Sequence, residues 1–142
     1  MGISGVASSD EEKLIKRACL AWKNSYSPYS HFQVGAALLA ENKKGSRKIF
    51  LGTNVETVTY NTNCAERSAI YGALSNGFRK MIEMVIVTDT EVFTPPCGVC
   101  RQVLIEFCPD LPILLAHIFD DELETVYPHE LLPMAFTPEI LK

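Results

Sequence analysis

The chain has 142 residues, of which 47% are apolar and 21% are charged, and its net charge is −4. This length suits a single domain, residues 1–142, that can bury its own hydrophobic core. The acidic balance, without a long run of lysine and arginine, argues against DNA or RNA as a partner. No apolar run approaches the roughly 20 residues that span a bilayer. Residues 1–9 lack the basic start and apolar core of a signal peptide, so the five cysteines indicate a reduced, cytoplasmic protein.

The first half of the chain predicts one helix followed by two paired strands. Ser9 and Glu12 form a capping box that opens a helix running to about residue 24. Its apolar stripe has the helical period and consists of Leu14, Ile15, Ala18, Ala21 and Trp22. After a turn-rich loop, residues 32–40 form a strand with apolar side chains on both faces, which is typical of a covered sheet. A polar connection leads to a second strand, residues 48–56, which we expect to pair with the first.

The second half of the chain alternates helices and strands. Asn63 is the expected N-cap of a helix over residues 64–76, and Gly77 is its expected left-handed stop. The remaining predicted elements are a strand at 81–88, a helix at 97–107, strands at 112–118 and 123–127, and a short helix within 128–142. This order predicts an α/β fold of three α/β/α layers, in which helices cover both faces of a mixed five-stranded sheet. We interpret His117 as a buried core histidine and not as a ligand.

Three cysteines and one glutamate stand at two predicted helix starts. Cys64 and Glu66 are two residues apart at one start, where the partial positive charge favours thiolate over thiol. Cys97 and Cys100 have CxxC spacing at the other start, after prolines that suit a first helical turn. Three thiolates suit a catalytic zinc, which keeps its fourth position for water. Glu66 would then carry protons beside the metal without binding it.

A second pair of polar residues stands at the end of the second predicted strand. Asn54 and Glu56 are two residues apart, so their side chains share one face if the backbone stays extended. An amide beside a carboxylate suits the vicinal hydroxyls of a sugar. A solvated strand end explains the same two residues, and for the pair taken alone it is the favoured interpretation.

These segments together resemble the small, homotetrameric cytidine deaminases. The matching segments are SPYS at 27–30, FQVGA at 32–36, NVE at 54–56, CAER at 64–67, PCGVCRQ at 96–102 and LLPMAF at 131–136. The resemblance implies the cytidine-deaminase-like form of the α/β/α fold. It also implies zinc-dependent hydrolytic deamination of cytidine and deoxycytidine to uridine and deoxyuridine plus ammonia, a reaction of pyrimidine salvage. The expected partners are small nucleosides and further copies of the chain, with neither nucleic acid nor membrane.

The resemblance also implies roles for single residues. Cys64, Cys97 and Cys100 would hold one zinc ion per chain, Glu66 would shuttle protons, and Arg67 would hydrogen-bond a zinc-bound sulfur. The residues implied to bind substrate are Phe32 against the pyrimidine, Asn54 and Glu56 at a ribose hydroxyl, the backbone of Ala65 at the base, and Tyr60 and Phe136 in a neighbouring subunit's pocket.

Four alternatives compete with this interpretation. A deaminase acting on a cytosine-bearing antibiotic of the blasticidin type shares the two thiol segments, although the ribose pair and Arg67 favour the nucleoside enzyme. A polynucleotide-editing deaminase is disfavoured by the charge and by the lack of an extra segment to grip a strand. A thioredoxin-like redox pair leaves Cys64 unexplained and would have tryptophan in place of Pro96. A structural zinc module needs a fourth ligand, for which the candidates are His31, His117 and His129.

Overall fold

The fold consists of five strands and four α-helices in residues 9–142, the part of the chain that this computed structural model describes. The helices are α1 (Ser9–Lys23), α2 (Ala65–Ser75), α3 (Gly98–Phe107) and α4 (Pro128–Leu131), and a 3-10 helix follows at Pro138–Leu141. The strands are β1 (Gly35–Glu41), β2 (Arg47–Thr53), β3 (Lys80–Thr88), β4 (Ile113–His117) and β5 (Leu123–Val126). The expectation about an export signal concerns mainly residues 1–8, which lie outside the described residues. None of the helices in the described part is long and apolar enough to cross a membrane.

The strands form one mixed five-stranded sheet, as the sequence predicts, and their order in the sheet is β2-β1-β3-β4-β5. β1 pairs antiparallel with both β2 and β3, with Ala37 opposite Leu51 on one side and Val85 on the other. β3 and β4 are parallel and are joined through α3. Because β2 and β3 both run against β1, their carboxyl ends lie at the same edge of the sheet. The helices that follow them, α2 and α3, therefore begin at that edge.

Hydrophobic clusters cover both faces of the sheet. Under α1 lies a cluster that includes Leu14, Ala18, Ala37, Val85, Val87 and Leu114. Under α2 and α3 lies a cluster that includes Leu38, Ala69, Ile70, Ile86, Leu104 and Leu115. The neighbours Ala37 and Leu38 belong to opposite clusters because successive side chains of a strand alternate between its faces. Burying each large aliphatic side chain stabilises the fold by roughly 1.5–3 kcal/mol, and the predicted three-layer arrangement is confirmed.

Gly52 in β2 lets α2 pack unusually close to the sheet. A Cβ atom on Gly52 would lie 2.1 Å from the carbonyl oxygen of Ala65 and 2.7 Å from the backbone nitrogen of Ala69. Only a residue without a side chain allows this contact. Gly52 therefore sets the distance between the sheet and the first turn of α2, where Cys64, Ala65 and Glu66 stand.

His117 is buried in the core, as its interpretation from the sequence expects. Its side chain is 3% exposed, and its Nδ1 lies 3.1 Å from the carboxylate of Asp120. The imidazole stacks between two phenyl rings, with centroid distances of 4.5 Å to Phe93 and 4.8 Å to Phe119. The two rings and the contact with Asp120 hold the imidazole in place.

Several predicted boundaries differ from the structure: β1 begins at Gly35 and not at residue 32, and two further differences lie near the thiols. Cys64, and not Asn63, occupies the N-cap position of α2, with φ −76° and ψ 158° and no side-chain capping bond. Asn63 is unavailable as a cap because its backbone pairs with Val55 in an isolated bridge, while its amide donates to the Ser68 hydroxyl at 3.0 Å. β2 ends at Thr53 and not at residue 56. Gly77 follows α2 with a φ of +85°, as predicted.

Candidate metal centre

The three cysteines of the two thiol segments meet at the sheet edge where α2 and α3 begin. Cys64 is the N-cap of α2, Cys97 is the N-cap of α3, and Cys100 lies in the first turn of α3. The Sγ atoms of Cys64 and Cys97 are 3.7 Å apart, and all three sulfurs lie within 4.8 Å of one another. Each is a free thiol. The topology thus brings together side chains that stand more than thirty positions apart.

This donor set fits zinc. Tetrahedral zinc with bonds of about 2.3 Å to thiolates separates two sulfur ligands by about 3.8 Å, which agrees with the spacing of Cys64 and Cys97. Among the described residues, the histidines His31, His117 and His129 lie outside this group. The group therefore has the three protein ligands of a catalytic site and lacks the fourth ligand that a structural zinc module requires.

Arg67 supplies positive charge beside the sulfurs. One terminal nitrogen of its guanidinium donates to Cys64 Sγ at 3.2 Å and to the Thr62 carbonyl at 3.2 Å. A hydrogen bond from Cys100, together with those from Arg67 and Cys97, lowers the pKa of the Cys64 thiol to about 5. The same hydrogen bond to Cys64, with burial, raises the pKa of Cys100. Of Cys64 and Cys100, Cys64 is therefore the first to become a thiolate, the form that binds a metal.

Glu66 lies beside these sulfurs in a site that is almost closed to water. Its side chain is 5% exposed. Burial, together with the charge of Cys64, raises the pKa of Glu66 to about 7. A carboxyl group with a pKa near neutrality can both accept and donate a proton at physiological pH, as general acid–base catalysis requires.

A cavity of about 300 Å³ opens onto the sulfurs and Glu66. The predicted site residues that line it are Phe32, Asn54, Glu56, Cys64, Ala65, Glu66 and Cys97. Cys100 is fully buried behind this wall. The volume is at the lower end of the range for small-molecule sites. The cavity therefore suits one small ligand with its reactive end at the metal ligands.

A second depression of about 380 Å³ lies beside α1 and β5. Its lining includes Glu12, Lys16 and Asp120 but none of the cysteines. This surface depression has none of the three cysteines and no buried proton carrier, so the thiol and acid–base chemistry described above belongs to the cavity at the thiols.

Asn54 holds the loop that carries Phe32. Its Oδ1 accepts the backbone N–H of Val34 at 3.0 Å and the hydroxyl of Ser25, and its Nδ2 donates to the carbonyl of Phe32 at 2.6 Å. The side chain is 6% exposed. The interpretation of Asn54 and Glu56 as a solvated strand end is therefore wrong, because the bridges of Val55 turn this segment into the protein.

Glu56 is also fixed before any ligand binds. Its carboxylate accepts the backbone N–H groups of Tyr29 at 3.0 Å and Ser30 at 3.1 Å, and it also accepts the Ser30 hydroxyl. These hydrogen bonds, with the Ser30 hydroxyl first, lower the pKa of Glu56. The carboxylate is only 8% exposed and faces the cavity as an anion.

Tyr60 and Phe136 lie outside the cavity of their own chain. Tyr60 is 85% exposed on the loop before α2, and Phe136 is 56% exposed in the C-terminal segment. Neither ring lines the cavity at the sulfurs, and both are exposed enough to contact another molecule. Tyr60 does line a neighbouring surface depression together with Glu56 and Thr62.

Some cavity residues have no role in the sequence analysis. Ser30, Thr62, Ile86 and Thr94 all line the cavity. Ser30 belongs to the SPYS segment, which was a signal for the family without a role for the hydroxyl. The other three are ordinary strand or loop residues in the sequence, and only the path of the backbone brings them to the cavity.

Comparisons with known proteins agree with this geometry. Residues 8–115 match the family model of the cytidine and deoxycytidylate deaminase zinc-binding region. A cytidine deaminase of Halalkalibacterium halodurans is 46% identical over 132 residues, covering 92% of this chain and 96% of the relative. A cytidine deaminase of Sporosarcina psychrophila is 46% identical over 134 residues, covering 93% of this chain and 95% of the relative. The 1.6 Å crystal structure of a cytidine deaminase from Burkholderia pseudomallei matches with a TM-score of 0.80 and 40% identity, covering 88% of this chain and 98% of that one.

The sequence resemblance and the predicted fold class are therefore confirmed. The zinc expected from the thiol segments agrees both with the matched zinc-binding region and with the cysteine cluster. With its matched region, its relatives and its fold all in agreement, the chain belongs to the family of zinc-binding cytidine and deoxycytidylate deaminases.

Proposed function

We propose that this protein hydrolyses cytidine and deoxycytidine to uridine and deoxyuridine with release of ammonia, as an enzyme of pyrimidine salvage. The observation that carries the proposal is the composition of one small cavity. Three thiols and a buried carboxyl group with a pKa of about 7 stand at one end, and Asn54 and Glu56 stand at the other. Such a cavity offers acid–base chemistry to a base and hydrogen-bond acceptors to a sugar.

Cys64, Cys97 and Cys100 would hold one zinc ion per chain. Zinc in such a site activates water toward attack at neutral pH. The Glu66 carboxylate accepts the proton of the water that attacks ring carbon 4 of cytosine. Glu66 delivers this proton to ring nitrogen 3, then takes the second proton of the same water from the oxygen now bound to carbon 4 and delivers it to the departing amine. Both protons of the water are thus used, and water and cytidine give uridine and ammonia. Proton transfer of this kind contributes typically about 10²–10⁴ in rate.

The same cavity favours free nucleosides over nucleotides. Glu56 is held as an anion by Tyr29 and Ser30, so a phosphate group near it would meet like charge. The chain as a whole carries a net charge of −4, which disfavours phosphate further. Phe32 contributes an apolar wall on which a pyrimidine ring can pack. The 300 Å³ cavity admits one nucleoside and offers no groove for a polynucleotide strand.

We also infer that the chain is a single domain that assembles as a homotetramer in the cytoplasm. One sheet with a cluster on each face supports the single domain. Exposed apolar side chains, among them Val58 at 72%, Tyr60 at 85% and Met134 at 102% exposure, support self-association. The five free thiols support a reducing compartment.

The test offers cytidine, deoxycytidine, cytidine monophosphate and blasticidin separately to the purified protein and measures ammonia from each. We expect release from the two nucleosides and little from the monophosphate. Glu66→Ala should retain zinc but lose about 10²–10⁴ in turnover, while Glu106→Ala, an exposed site on α3, should match the wild type. Release from blasticidin alone would establish the antibiotic alternative and overturn the proposal.

A further inference from the structure

Arg101 links the metal centre to the C-terminal segment. Its Nε donates to the carbonyl of Pro96 at 2.7 Å, and its Nη1 donates to the carbonyl of Leu131 at 2.9 Å. Pro96 directly precedes Cys97, and Leu131 is the last residue of α4. A planar guanidinium holds both carbonyls in one rigid geometry. One side chain therefore ties the loop before α3 to a helix thirty residues further along the chain.

Cys97 is the sulfur that most needs such support. Cys100 is fully buried within α3, and Cys64 is held by Arg67. Cys97 is exposed, and it caps α3 without any side-chain capping bond. The prolines before it, Pro95 and Pro96, have no N–H groups with which to anchor the loop. The hydrogen bond to the Pro96 carbonyl is thus the contact that fixes the peptide plane leading into Cys97.

The C-terminal segment is itself well anchored at α4. Pro128 is buried, and the backbone N–H of His129 donates to the Pro109 carbonyl at 3.1 Å. Further along, the Gln102 side chain donates to the Phe136 carbonyl at 2.7 Å. Arg101 and Gln102 are adjacent on α3, but only Arg101 also reaches the loop of Cys97. Arg101 therefore contacts both the loop of the metal ligand and α4, whereas Gln102 contacts only the segment around Phe136.

We propose that Arg101 is a positioning residue for the Cys97 sulfur, with α4 as its buttress. The proposal rests on the proposed function only in that the three thiols hold zinc. Groups that orient metal ligands without touching the metal typically contribute about 10–100-fold in metal affinity or activity. Loss of the Arg101 bridge should free the Pro96–Cys97 peptide and speed the departure of zinc from its most exposed ligand.

The experiment measures zinc transfer from the full-length, zinc-loaded protein to excess chromophoric chelator. Arg101→Ala should release zinc about tenfold faster than the wild type. Arg101→Lys should fall between the two, because an ammonium group lacks the planar fork that reaches both carbonyls. Gln102→Ala is the matched control from the next position, and it should release zinc at the wild-type rate.

A second readout keeps the proposal testable if the alanine variant is unstable. Cobalt-substituted protein shows thiolate-to-metal charge-transfer absorption, and Arg101→Lys should weaken it while Gln102→Ala leaves it unchanged. Equal zinc release and equal absorption for the variants of Arg101 and Gln102 would overturn the proposal. A protein that shows the expected zinc release but deaminates no nucleoside would instead overturn the proposed function and leave this inference standing.

Discussion

Replacing Gly52 by alanine tests whether the sheet sets the position of the catalytic helix start. The new Cβ would lie 2.1 Å from the Ala65 carbonyl oxygen and 2.7 Å from the Ala69 nitrogen, both of them backbone atoms of α2. Non-bonded heavy atoms settle at about 3.5 Å, so the two contacts would be relieved by a retreat of α2 of roughly 0.8–1.4 Å. Backbone atoms cannot rotate away from the new Cβ as a side chain can. The whole first turn of α2 must therefore move.

The displacement should affect stability and catalysis to different extents. Overpacking of this kind costs about 1–3 kcal/mol. A shift of about 1 Å in Glu66 and Cys64 relative to the other groups should cost about 10²-fold in turnover. We therefore expect Gly52→Ala to fold with a lower unfolding midpoint and, while folded, to lose about 10²-fold in deaminase turnover.

The assay compares thermal unfolding, zinc content and kcat/KM for cytidine with those of Gly72→Ala. Gly72 lies within α2, where an added Cβ would be 3.8 Å from Phe50 Cδ1, an ordinary contact. The free energy of unfolding of Gly72→Ala should rise by about 0.5–1 kcal/mol, because alanine has the higher helix propensity, and its activity should equal that of the wild type. A folded Gly52→Ala protein with wild-type kcat/KM would refute the reasoning that the sheet positions the helix start.

Three further predictions concern charged groups. Hydrogen bonds, first of all from the Ser30 hydroxyl, lower the pKa of Glu56 in the folded chain below its ordinary value of 4.5. They therefore stabilise the folded chain above pH 4.5, and this stabilisation is lost as the pH falls through the lowered pKa of the folded state. Ser30→Ala should therefore be destabilising in urea at pH 7, with a gap to wild type that narrows at pH 4. Burial and Glu11 raise the pKa of Glu83 to about 7. Protonated Glu83 therefore favours the folded state, and this contribution to stability is lost as the pH rises through 7. Glu83→Gln should thus raise the free energy of unfolding by about 1 kcal/mol at pH 8, after allowance for solvent screening, and leave it unchanged at pH 4. An equal increase in stability at both pH values would contradict this explanation. Arg67→Ala should lower turnover about 10–100-fold while metal analysis shows a smaller loss of zinc; unchanged turnover would show that the helix N-termini offset the thiolate charge without it.

The elements of the fold could be predicted because their signals are local. Alternation in β1 sends Ala37 and Leu38 to opposite faces, and this pattern alone requires a covered sheet. The error at Asn63 has a physical reason. An N-cap is defined by the backbone dihedrals at the helix start, and a bridge to Val55 had already committed Asn63 to other hydrogen bonds. Competition from such tertiary contacts is invisible in a propensity argument.

The candidate site, like the fold, could be predicted from local signals but not where it depends on contacts between distant segments. The spacing of Cys97 and Cys100 after two prolines predicts two ligands, and the topology of β2 and β3 supplies the reason that Cys64 joins them. The hydrogen bonds of Glu56 to Ser30, and of Arg101 to Pro96 and Leu131, join distant segments. Their partners depend on where the loops run, so the sequence alone could not identify them.

The hydrogen bonds of Asn54 limit how the sugar preference of this enzyme could be re-engineered. Its amide already spans Ser25, Val34 and Phe32, so a substitution chosen to favour a different sugar would also release the loop that presents the aromatic wall. Changed selectivity and weakened base packing would then appear in the same variant. Libraries aimed at nucleoside analogues should keep Asn54 and vary the side chain of Thr62, which lines the cavity and lies outside the hydrophobic core.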